Sequence, residues 1–442
     1  MRVAFVALET THHLDRGNPT GGDAATDGEA ATAEDPGDVS GDADEGGDST
    51  ATEAPEATDG GDGPASDGDE QQAAIQGATG EGGDTGDGRS RSRNDRGEAA
   101  DGTSNEGARR IERLARQLAE RGHEVGVFCA KTWRGGPTTT DDVGVTYYGV
   151  TQEVAPTSFG LRLPWKLAGF GPDVIHATPA PAAQVVAASF GGTLARAPLL
   201  LEYYGDADPA GSRWADRALA VPDRIVTPSE MVRTTLRERG VEDDRLVHIP
   251  EGIDVERLRD AEPEDGVDVA FAHPLDGTSN LESLLLGLAE LRDKDWTATV
   301  IGDGPAREDY ERQVRDLRID DRVEFRGACD RDERLSIYRG AHAFVQTAYR
   351  EYFATELLWA LASGCVGIVE YQAESSAHEL IENYDRSFRV TDPQTLADAI
   401  VDAGDLEPMD FDDSFERFDY REILESYLAC YREVREEHGL MG

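Results

Sequence analysis

The stretch REYFATELLWALASGC, residues 350–365, combines a carboxylate with the start of an apolar helix that ends at a Ser-Gly pair. The first N–H groups of a helix have no partner within it, so the amides of Phe353, Ala354 and Thr355 suit a phosphate. The carboxylate of Glu351 would repel that phosphate but suits neutral hydroxyl groups. The residues therefore indicate a site for a phosphorylated sugar.

A second stretch that could bind a ligand is VIGDGP, in which Gly302 and Gly304 follow an apolar run. Glycine lets a ligand approach the main chain closely, which suits a site at the end of a strand. The same residues also suit an ordinary strand-to-helix turn, since proline is favoured at the first helical position. Both interpretations predict that the two glycines lie at the edge of a sheet.

Polar residues also follow predicted strands in the first half of the chain. His176 lies in IHAT, Tyr204 follows LLLE, and Glu9, His12 and His13 lie in ETTHHLD. In a doubly wound sheet, ligands bind at the carboxyl ends of the strands. We therefore expect these side chains to point into a cleft, where the ETTHHLD loop binds the hydroxyl groups of a second substrate or is an ordinary polar loop.

Apolar strands alternate with amphipathic helices in two consecutive sets, the first from RVAFVALE to DRIVTPSE and the second from DVAFAH to GCVGIVEY. This pattern predicts an α/β protein with two doubly wound, Rossmann-like domains facing a cleft. We place the first domain at residues 1–250 and the second at residues 251–415. Residues 416–442 are predicted to form a helix that packs back across the junction.

Residues 18–104 interrupt the first strand–helix connection. Within them, residues 21–90 contain no Phe, Tyr, Trp or Leu and are rich in Asp, Glu and Gly. Such a segment cannot bury a core, so we predict that this acidic insert is disordered. Its Asp-x-Asp spacings are expected by chance in so biased a composition, and no metal site is predicted.

The chain is strongly acidic, with 89 Asp and Glu against 43 Lys and Arg and a net charge of −46. The only lysines are Lys131, Lys166 and Lys294. Excess carboxylate together with arginine in place of lysine is typical of a protein adapted to a high-salt cytoplasm, because hydrated carboxylates keep it soluble. The same charge argues against nucleic-acid binding.

The four cysteines are too scattered for a disulfide or zinc framework and are expected to be reduced and mostly buried: Cys129, Cys329, Cys365 and Cys430. MRVAFVALE is typical of a short strand rather than a signal peptide, and no apolar run approaches 18 residues. We therefore expect a cytoplasmic protein.

Residues 300–365, which include VIGDGP and REYFATELLWALASGC, resemble the nucleotide-sugar half of a family-4 glycosyltransferase. RRIERLARQLAERGHEV, PDVIHA, DRIVTPSEM and VHIPEGID extend the resemblance over nearly the whole chain except the insert. Members of this family have the two-domain GT-B fold and transfer a sugar from a nucleotide to an acceptor with retention at the anomeric carbon. The order and spacing of the motifs make the resemblance specific for the fold.

The resemblance implies roles for the candidate residues. Glu351 matches the first Glu of the family's E-x₇-E motif and would contact the transferred sugar. The donor-binding positions would be Gly302, Gly304, Phe353, Ala354, Thr355, Trp359 and Glu379. His176 and Tyr204 would join Glu351 in catalysis, with Glu9, His12 and His13 on the acceptor side. The leaving phosphate would accept the acceptor's proton, so the resemblance implies no cofactor and no metal.

The sequence departs from the family pattern at several of these positions. Trp359 stands where a second Glu usually holds the ribose, and it is interpreted either as a stacking surface or as a core aromatic. Pro274 and Ser279 stand where Arg and Lys usually contact the diphosphate, and Tyr204 stands where a His is frequent. Losing two charge-assisted hydrogen bonds, each contributing about 1.5–3 kcal/mol, would weaken binding by roughly 10²–10⁴-fold unless other groups replace them.

His273, Arg307 and Arg350 are candidates for that replacement. The leading hypothesis is a retaining glycosyltransferase (hexosyltransferase type) that uses a nucleotide-sugar donor and a lipid-linked or cell-surface glycan acceptor. One alternative is a catalytically impaired relative that binds a glycan or assists an active partner. Another GT-B enzyme, such as a nucleotide-sugar epimerase, is less favoured because the residue pairs for ring chemistry are missing.

Two segments indicate a membrane-side acceptor. The predicted helix at residues 108–121 carries five arginines in an acidic chain, and residues 158–171 mix aromatic with basic side chains. Basic and aromatic faces suit a lipid headgroup region. Core packing with solvated arginines is the competing interpretation, so peripheral contact with the inner face of the membrane stays a hypothesis.

Overall fold

The computed structural model describes residues 1–9, 106–131, 133, 135–141, 143–205 and 213–441. The predictions on residues 18–104 and on His12 and His13 lie outside these residues. Among the helices of the described ranges, none combines the length and the apolar character needed to cross a membrane.

The first half of the chain forms an eight-stranded sheet with the order β3-β4-β2-β1-β5-β6-β7-β8. Its strands are β1 Arg2–Val6, β2 Glu124–Ala130, β3 Thr138–Thr140, β4 Thr146–Thr151, β5 Val174–Ala177, β6 Leu199–Glu202, β7 Arg224–Thr227 and β8 Leu246–His248. All pairs are parallel except that of β3 with β4. The central strands are continuous apolar runs because helices cover both faces of the sheet.

Helices cover this sheet unequally. They are α1 Glu106–Glu120, α2 Pro156–Phe170, α3 Ala182–Ala195, α4 Arg213–Ala220 and α5 Glu230–Glu238. The last four pack on one face, in a core that includes Phe159, Leu163 and Val185. α1 packs on the other face through Ile111 and Leu114.

The second half forms a six-stranded parallel sheet with the order β11-β10-β9-β12-β14-β16. Its elements are α6 Val255–Asp260, β9 Val269–Ala272, α7 Leu281–Glu290, β10 Ala298–Ile301, α8 Arg307–Leu317, β11 Val323–Gly327, α9 Arg331–Gly340, β12 Ala343–Gln346, β13 Arg350–Glu351, α10 Thr355–Ala362, β14 Val366–Glu370, β15 Glu374–Ser375, α11 Ala377–Ile381, β16 Ser387–Val390 and α12 Pro393–Ala403. β13 and β15 form a separate two-stranded parallel pair. The predicted pair of doubly wound α/β domains is confirmed.

The chain returns to the first half at its end. After a 3₁₀ turn at Asp413–Phe418, helix α13 spans Tyr420–Met441. Tyr427, Tyr431 and Val434 of α13 are buried in the same core as α1. α13 therefore joins α1 in covering this face of the first sheet.

Candidate functional site

The short pair of β13 with β15 places Glu351 beyond the carboxyl end of β12. The main-chain carbonyl of Glu351 accepts a hydrogen bond from the amide of Ser376 at 2.8 Å. Helix α10 begins four residues later, at Thr355. The structure thus holds the Glu351 carboxylate at the edge of the second sheet and beside a helix N-terminus.

Two side chains surround the carboxylate of Glu351. Gln346, the last residue of β12, donates a hydrogen bond from Nε2 to Oε2 of Glu351 at 3.4 Å. Nε2 of His273, which follows β9, lies 3.6 Å from the same oxygen. The Glu351 side chain keeps 23% of its surface exposed and that of His273 keeps 10%. The three residues form a partly open polar cluster, which we call the Glu351 cluster.

His273 presents an acceptor to Glu351. Its Nδ1 lies 2.8 Å from the carbonyl oxygen of Pro274, and a carbonyl only accepts, so Nδ1 carries the proton. Burial lowers the pKa of His273 even though the contact with Pro274 opposes it, so the ring is neutral at neutral pH. Nε2 and the carboxylate then face each other as two acceptors. A ligand hydroxyl that donates a hydrogen bond to Nε2 of His273 or to the carboxylate of Glu351 would reduce the repulsion between these two acceptors.

The cations considered as replacements on the diphosphate have other partners or no charge. Arg307 pairs with Glu311 at 2.9 Å and lies 3.6 Å from Asp303. Arg350 donates to Glu374 from Nε and Nη2, at 2.9 and 2.7 Å. Arg350 is about half exposed, and an exposed pair contributes only about 0–1 kcal/mol, so an anionic ligand could displace Glu374 at small cost. Burial lowers the pKa of His273, which disfavours a cationic ring at this position.

The positions of Pro274 and Ser279 do not supply a phosphate contact. Pro274 is exposed and has no N–H. Ser279 is fully buried, and its hydroxyl bonds to the carbonyl of Asp276 and to the hydroxyl of Tyr310, both at 2.9 Å. Pro274 and Ser279 therefore do not replace the phosphate contacts that Arg and Lys make at these two positions in the family.

The start of α10 offers fewer free amides than expected. Ala354 is the N-cap residue and no side chain caps the helix. The amide of Thr355, however, donates to the carbonyl of Phe353 at 2.9 Å, which removes one of the three amides predicted for phosphate. The amides of Phe353 and Ala354 stay candidates, although both side chains are buried.

Trp359 is a core residue. Only 3% of it is exposed, and it belongs to the hydrophobic cluster that contains Phe353 and Leu358. The guanidinium of Arg331 lies 5.5 Å from the centre of its ring. Of the two interpretations of Trp359, the structure therefore supports the core aromatic and contradicts the stacking surface and the donor-binding role, since the ring is buried.

Gly302 and Gly304 accommodate the chain itself. Gly302 has φ of 132°, and a Cβ there would lie 2.0 Å from the carbonyl oxygen of His273. A Cβ on Gly304 would lie 2.4 Å from the carbonyl oxygen of Leu275. Glycine is required at both positions because the loops after β9 and β10 touch main chain to main chain. The ligand contact predicted for them stays a prediction.

The side chain of Glu379 contacts the first half of the chain. Its two carboxylate oxygens accept from the amides of Glu230 and Met231, at 2.9 and 2.7 Å, at the N-terminus of α5. A carboxylate suits that position because it satisfies orphan amides and complements the helix dipole. The predicted donor-binding role of Glu379 is corrected here. It joins the second half of the chain to the first.

His176 lies in the interior rather than in a cleft. It is fully buried, with Nε2 3.2 Å from Glu202 and Nδ1 sharing a hydrogen bond with the hydroxyl of Tyr431 at 2.8 Å. Glu202 also accepts from Tyr427 at 2.8 Å and lies 3.3 Å from Arg110. These five residues form a closed set, which we call the His176 cluster. The prediction that His176 acts on a substrate is wrong, because α13 covers it.

Charge holds the His176 cluster together. Burial alone would raise the pKa of Glu202, but Arg110, His176 and Tyr427 keep the pKa of that carboxyl below its ordinary value. Arg110 is buried as well, donates from Nε to Tyr427 at 2.7 Å, and keeps a raised pKa through Glu202. The contact of Arg110 with Glu202 is close but poorly aligned for a hydrogen bond, so we regard it as an ion pair.

Tyr204 lies in the contact between the two halves. It is 6% exposed and belongs to the core cluster of the second half. Beside it, a Cβ on Gly205 would lie 2.4 Å from the ring of Tyr352, the residue after Glu351. The burial of Tyr204 contradicts its prediction as a catalytic residue in an open cleft, whereas Glu9, the last described residue after β1, is exposed.

Sequence reasoning missed three residues at this edge. Gln346 and Glu370 end β12 and β14, and Tyr352 contacts the first half. Glu370 is 8% exposed and accepts from Gln372 at 2.9 Å and Asn280 at 3.4 Å. A polar residue that ends an otherwise apolar strand, as in AFVQ and VGIVE, was the signal that could have identified the first two.

Within the described residues, no group of three or more His, Cys, Asp or Glu is placed to hold a metal ion. Of the four thiols, three are buried and that of Cys329 is partly exposed, and no disulfide joins them. The polar groups of the Glu351 cluster are a carboxylate, an amide and an imidazole, which suit hydrogen bonding to hydroxyl groups.

Comparison with protein families gives two matches in succession. Residues 107–257 match the model described as Glycosyltransferase Family 4, and residues 254–412 match the model described as Glycosyl transferases group 1. The junction between the matches falls where the chain passes from β8 to α6. The Glu351 cluster lies wholly within the second match.

A curated relative is alpha-monoglucosyldiacylglycerol synthase of Streptococcus pneumoniae, 28% identical over 159 residues. That alignment spans 32% of this chain and only 36% of the relative. The relative's activity therefore applies to this chain only as a proposal.

Solved structures show the fold. A glycosyltransferase from Rickettsia africae has a TM-score of 0.62 at 15% identity, over 74% of this chain and 95% of that one. Alr3699/HepE of Anabaena in complex with UDP has a TM-score of 0.59 at 15% identity, over 74% and 96%. The chain therefore has the GT-B fold, with one segment that matches the Glycosyltransferase Family 4 model and a following segment that matches the Glycosyl transferases group 1 model.

Proposed function

We propose that this protein transfers a sugar from a nucleotide-sugar donor to a lipid-linked or cell-surface glycan, with retention at the anomeric carbon. The observation that carries the proposal is the position of Glu351. It stands partly open at the carboxyl edge of the second sheet, next to the uncapped start of α10 and inside the group 1 domain. A carboxylate for hydroxyl groups beside free amides for a phosphate fits a sugar phosphate.

The choice of acceptor draws on the relatives. The curated relative is named a glucosyldiacylglycerol synthase, and another similar fold, with a TM-score of 0.56 at 15% identity over 73% of this chain and 94% of that one, is a lipopolysaccharide outer core galactosyltransferase. Both names concern glycolipids. We accordingly propose a lipid-linked acceptor at the inner face of the membrane of a high-salt cytoplasm, in keeping with the net charge of −46.

The residues that would hold the donor are fewer than expected. Glu351, with Gln346 and His273 behind it, would accept hydrogen bonds from the sugar. The amides of Phe353 and Ala354, with Arg350 released from Glu374, would contact the diphosphate. The departing phosphate would accept the acceptor's proton, so no protein base, cofactor or metal is part of the proposal.

A titration of the purified chain in high salt tests the proposal. UDP and GDP sugars are titrated by calorimetry, and nucleotide release is then measured with a lipid extract as acceptor. We expect binding of at least one nucleotide sugar and release of its nucleotide. Product stereochemistry, by proton NMR of the anomeric signal, tests retention.

The control is Asp413→Asn, which removes an exposed carboxylate that pairs with Arg259 outside the Glu351 cluster. Binding without turnover would favour a catalytically impaired binding protein, although the family matches do not favour that alternative. No binding of any nucleotide sugar by the folded protein would refute the proposal.

A further inference from the structure

The outer side of α2 and α3 exposes large apolar side chains. Leu161 and Trp165 of α2 are 72% and 68% exposed, and Phe190 and Leu194 of α3 are 55% and 41% exposed. Residues four apart share one face of a helix, so each pair forms a short ridge. Single exposed apolar residues need no explanation, but a contiguous group of them marks a contact surface.

The two ridges belong to one surface because the helices touch. A Cβ on Gly191 of α3 would lie 2.7 Å from Leu167 and 3.2 Å from the Cα of Pro164 in α2. Phe159, Leu163 and Leu167 of α2 are fully buried against the sheet, which leaves the opposite side of the helix pair outward. We call this outward side the α2–α3 face.

The segment that forms this face is depleted in acidic residues. Residues 154–201 contain one, Asp173, in a chain with 89 among 442 residues. Asp173 is occupied elsewhere, since it accepts from the amide of Arg2 at 2.7 Å and from Arg435 at 3.1 Å. Three basic residues accompany the face: Arg162, Lys166 and Arg196. A locally positive, apolar surface therefore stands out on a protein of net charge −46.

Three of the five arginines of residues 108–121, by contrast, are paired within the protein. Arg110 lies in the His176 cluster, Arg113 pairs with Glu251, and Arg121 pairs with Glu425. The hypothesis that the arginines of residues 108–121 face lipid headgroups is corrected for these three. Phe159, one of the aromatic residues of the second segment, is buried, so the surface is made by other residues than the sequence indicated.

We propose that the α2–α3 face docks on an anionic lipid bilayer, with Leu161, Trp165, Phe190 and Leu194 entering the headgroup region. Tryptophan favours that region because one end of its ring system is apolar and the other polar. Arg162 and Lys166 extend their charged ends to lipid phosphates while their stems lie along the apolar surface. A second copy of the chain is the less suitable occupant, because each copy carries a net charge of −46.

This inference rests on the proposed lipid-linked acceptor, which docking would bring to the first domain. Sedimentation with vesicles tests it without any nucleotide sugar. Vesicles of phosphatidylcholine alone are compared with vesicles that contain 30% phosphatidylglycerol, a composition of about one anionic lipid in three. We expect the wild type to bind the anionic vesicles and to bind the neutral ones several-fold less.

Two double variants test the two components of the face. Leu161→Ser with Trp165→Ser should weaken binding to anionic vesicles at least tenfold. Arg162→Gln with Lys166→Gln should remove the preference for anionic over neutral vesicles. The matched control is Leu286→Ser with Met409→Ser, which removes two exposed apolar side chains from the second half and should leave binding unchanged.

Unfolding curves check that the variants are folded, which is expected because the altered side chains are exposed. Vesicle binding by the Leu161 and Trp165 variant equal to that of the wild type would overturn the inference. So would a wild type that binds no vesicle but forms a dimer, by light scattering, that the same variant lacks. A protein that binds vesicles but no nucleotide sugar would keep this inference and refute the proposed function.

Discussion

The His176–Glu202 pair in the first half and the His273–Glu351 pair in the second half differ in their exposure to solvent. His176 and Glu202 are 3.2 Å apart with both side chains fully buried. His273 and Glu351 are 3.6 Å apart and are 10% and 23% exposed. The first pair is enclosed by Arg110, Tyr427 and Tyr431, whereas the imidazole and the carboxylate of the second pair keep part of their surface open. A histidine–glutamate pair is thus part of the core in one half, whereas in the other half it is the pair proposed to bind the ligand.

The largest effect, a loss of stability, is expected from a change at the buried His176–Glu202 pair. Arg110→Met leaves Glu202 buried without its main counter-charge, so the free energy of unfolding should fall by about 3–5 kcal/mol. Denaturant unfolding in high salt measures it. Arg116→Met on the same helix is the control, because Arg116 is about half exposed and lies 3.8 Å from Asp141. That control should change stability by about 1 kcal/mol or less, and equal losses in both variants would contradict the distinction.

A change at the partly exposed His273–Glu351 pair, which we call the open pair, should affect ligand binding instead. Glu351→Gln removes the charge from a hydrogen-bond acceptor, which contributes about 1.5–3 kcal/mol, so affinity for a nucleotide sugar should fall roughly 10- to 100-fold. Stability should change little because the side chain is partly exposed. Calorimetry with the sugar nucleotide and with the free nucleotide separates the two parts of the ligand. Equal loss for both ligands would show that Glu351 does not contact the sugar.

The open pair should also respond to pH. The pKa of His273 is lowered from 6.5, so the unfolded chain binds its proton at a higher pH than the folded protein. The unfolded state then holds more protons below about pH 6.5, and stability falls as the pH drops through this range. Charged groups that face the ring are Glu351, Asp276 and Glu356. His273→Gln should show a shallower fall between pH 7 and pH 5 in unfolding experiments, and an unchanged slope would contradict the neutral ring.

The smallest effect is expected at the rim of the open pair. Arg350→Gln breaks an exposed ion pair with Glu374 and should change the free energy of unfolding by no more than about 1 kcal/mol. It should nevertheless weaken binding of a nucleoside diphosphate, because Arg350 would contact the diphosphate. Calorimetry with UDP or GDP measures this, and unchanged affinity would exclude Arg350 from the site.

The fold was predictable because parallel strands buried on both faces consist of short runs of apolar residues, such as VAFV and AFVQ. The position of Glu351 at the edge of the second sheet was predictable for a related reason, since Glu351 follows such a strand and precedes an apolar helix. These features are local. Their partners lie within a few residues or in the neighbouring strand.

The direction of side chains was not predictable where distant segments decide it. In β5, Val174 faces the core of α1 and α13, while Ile175 and Ala177 face the other core. His176 shares the side of Val174, where it contacts Tyr431 from the end of the chain. No residue near position 176 in the sequence indicates that α13 covers this face of the sheet. Glu379 was misassigned for the same reason, since its partners at the start of α5 are about 150 residues away.

The packing of α13 on the first sheet determines the order in which the two domains can complete their folding during synthesis. Tyr427 and Tyr431 supply partners for Glu202 and His176, and they are made after every strand of both sheets. Domains usually fold from the N-terminus as the ribosome delivers them. Here the first half emerges with one face of its sheet still partly uncovered and a buried carboxylate lacking its hydroxyl partner. Its core closes only when residues 420–441 have left the ribosome, so the first domain made is the last to be completed.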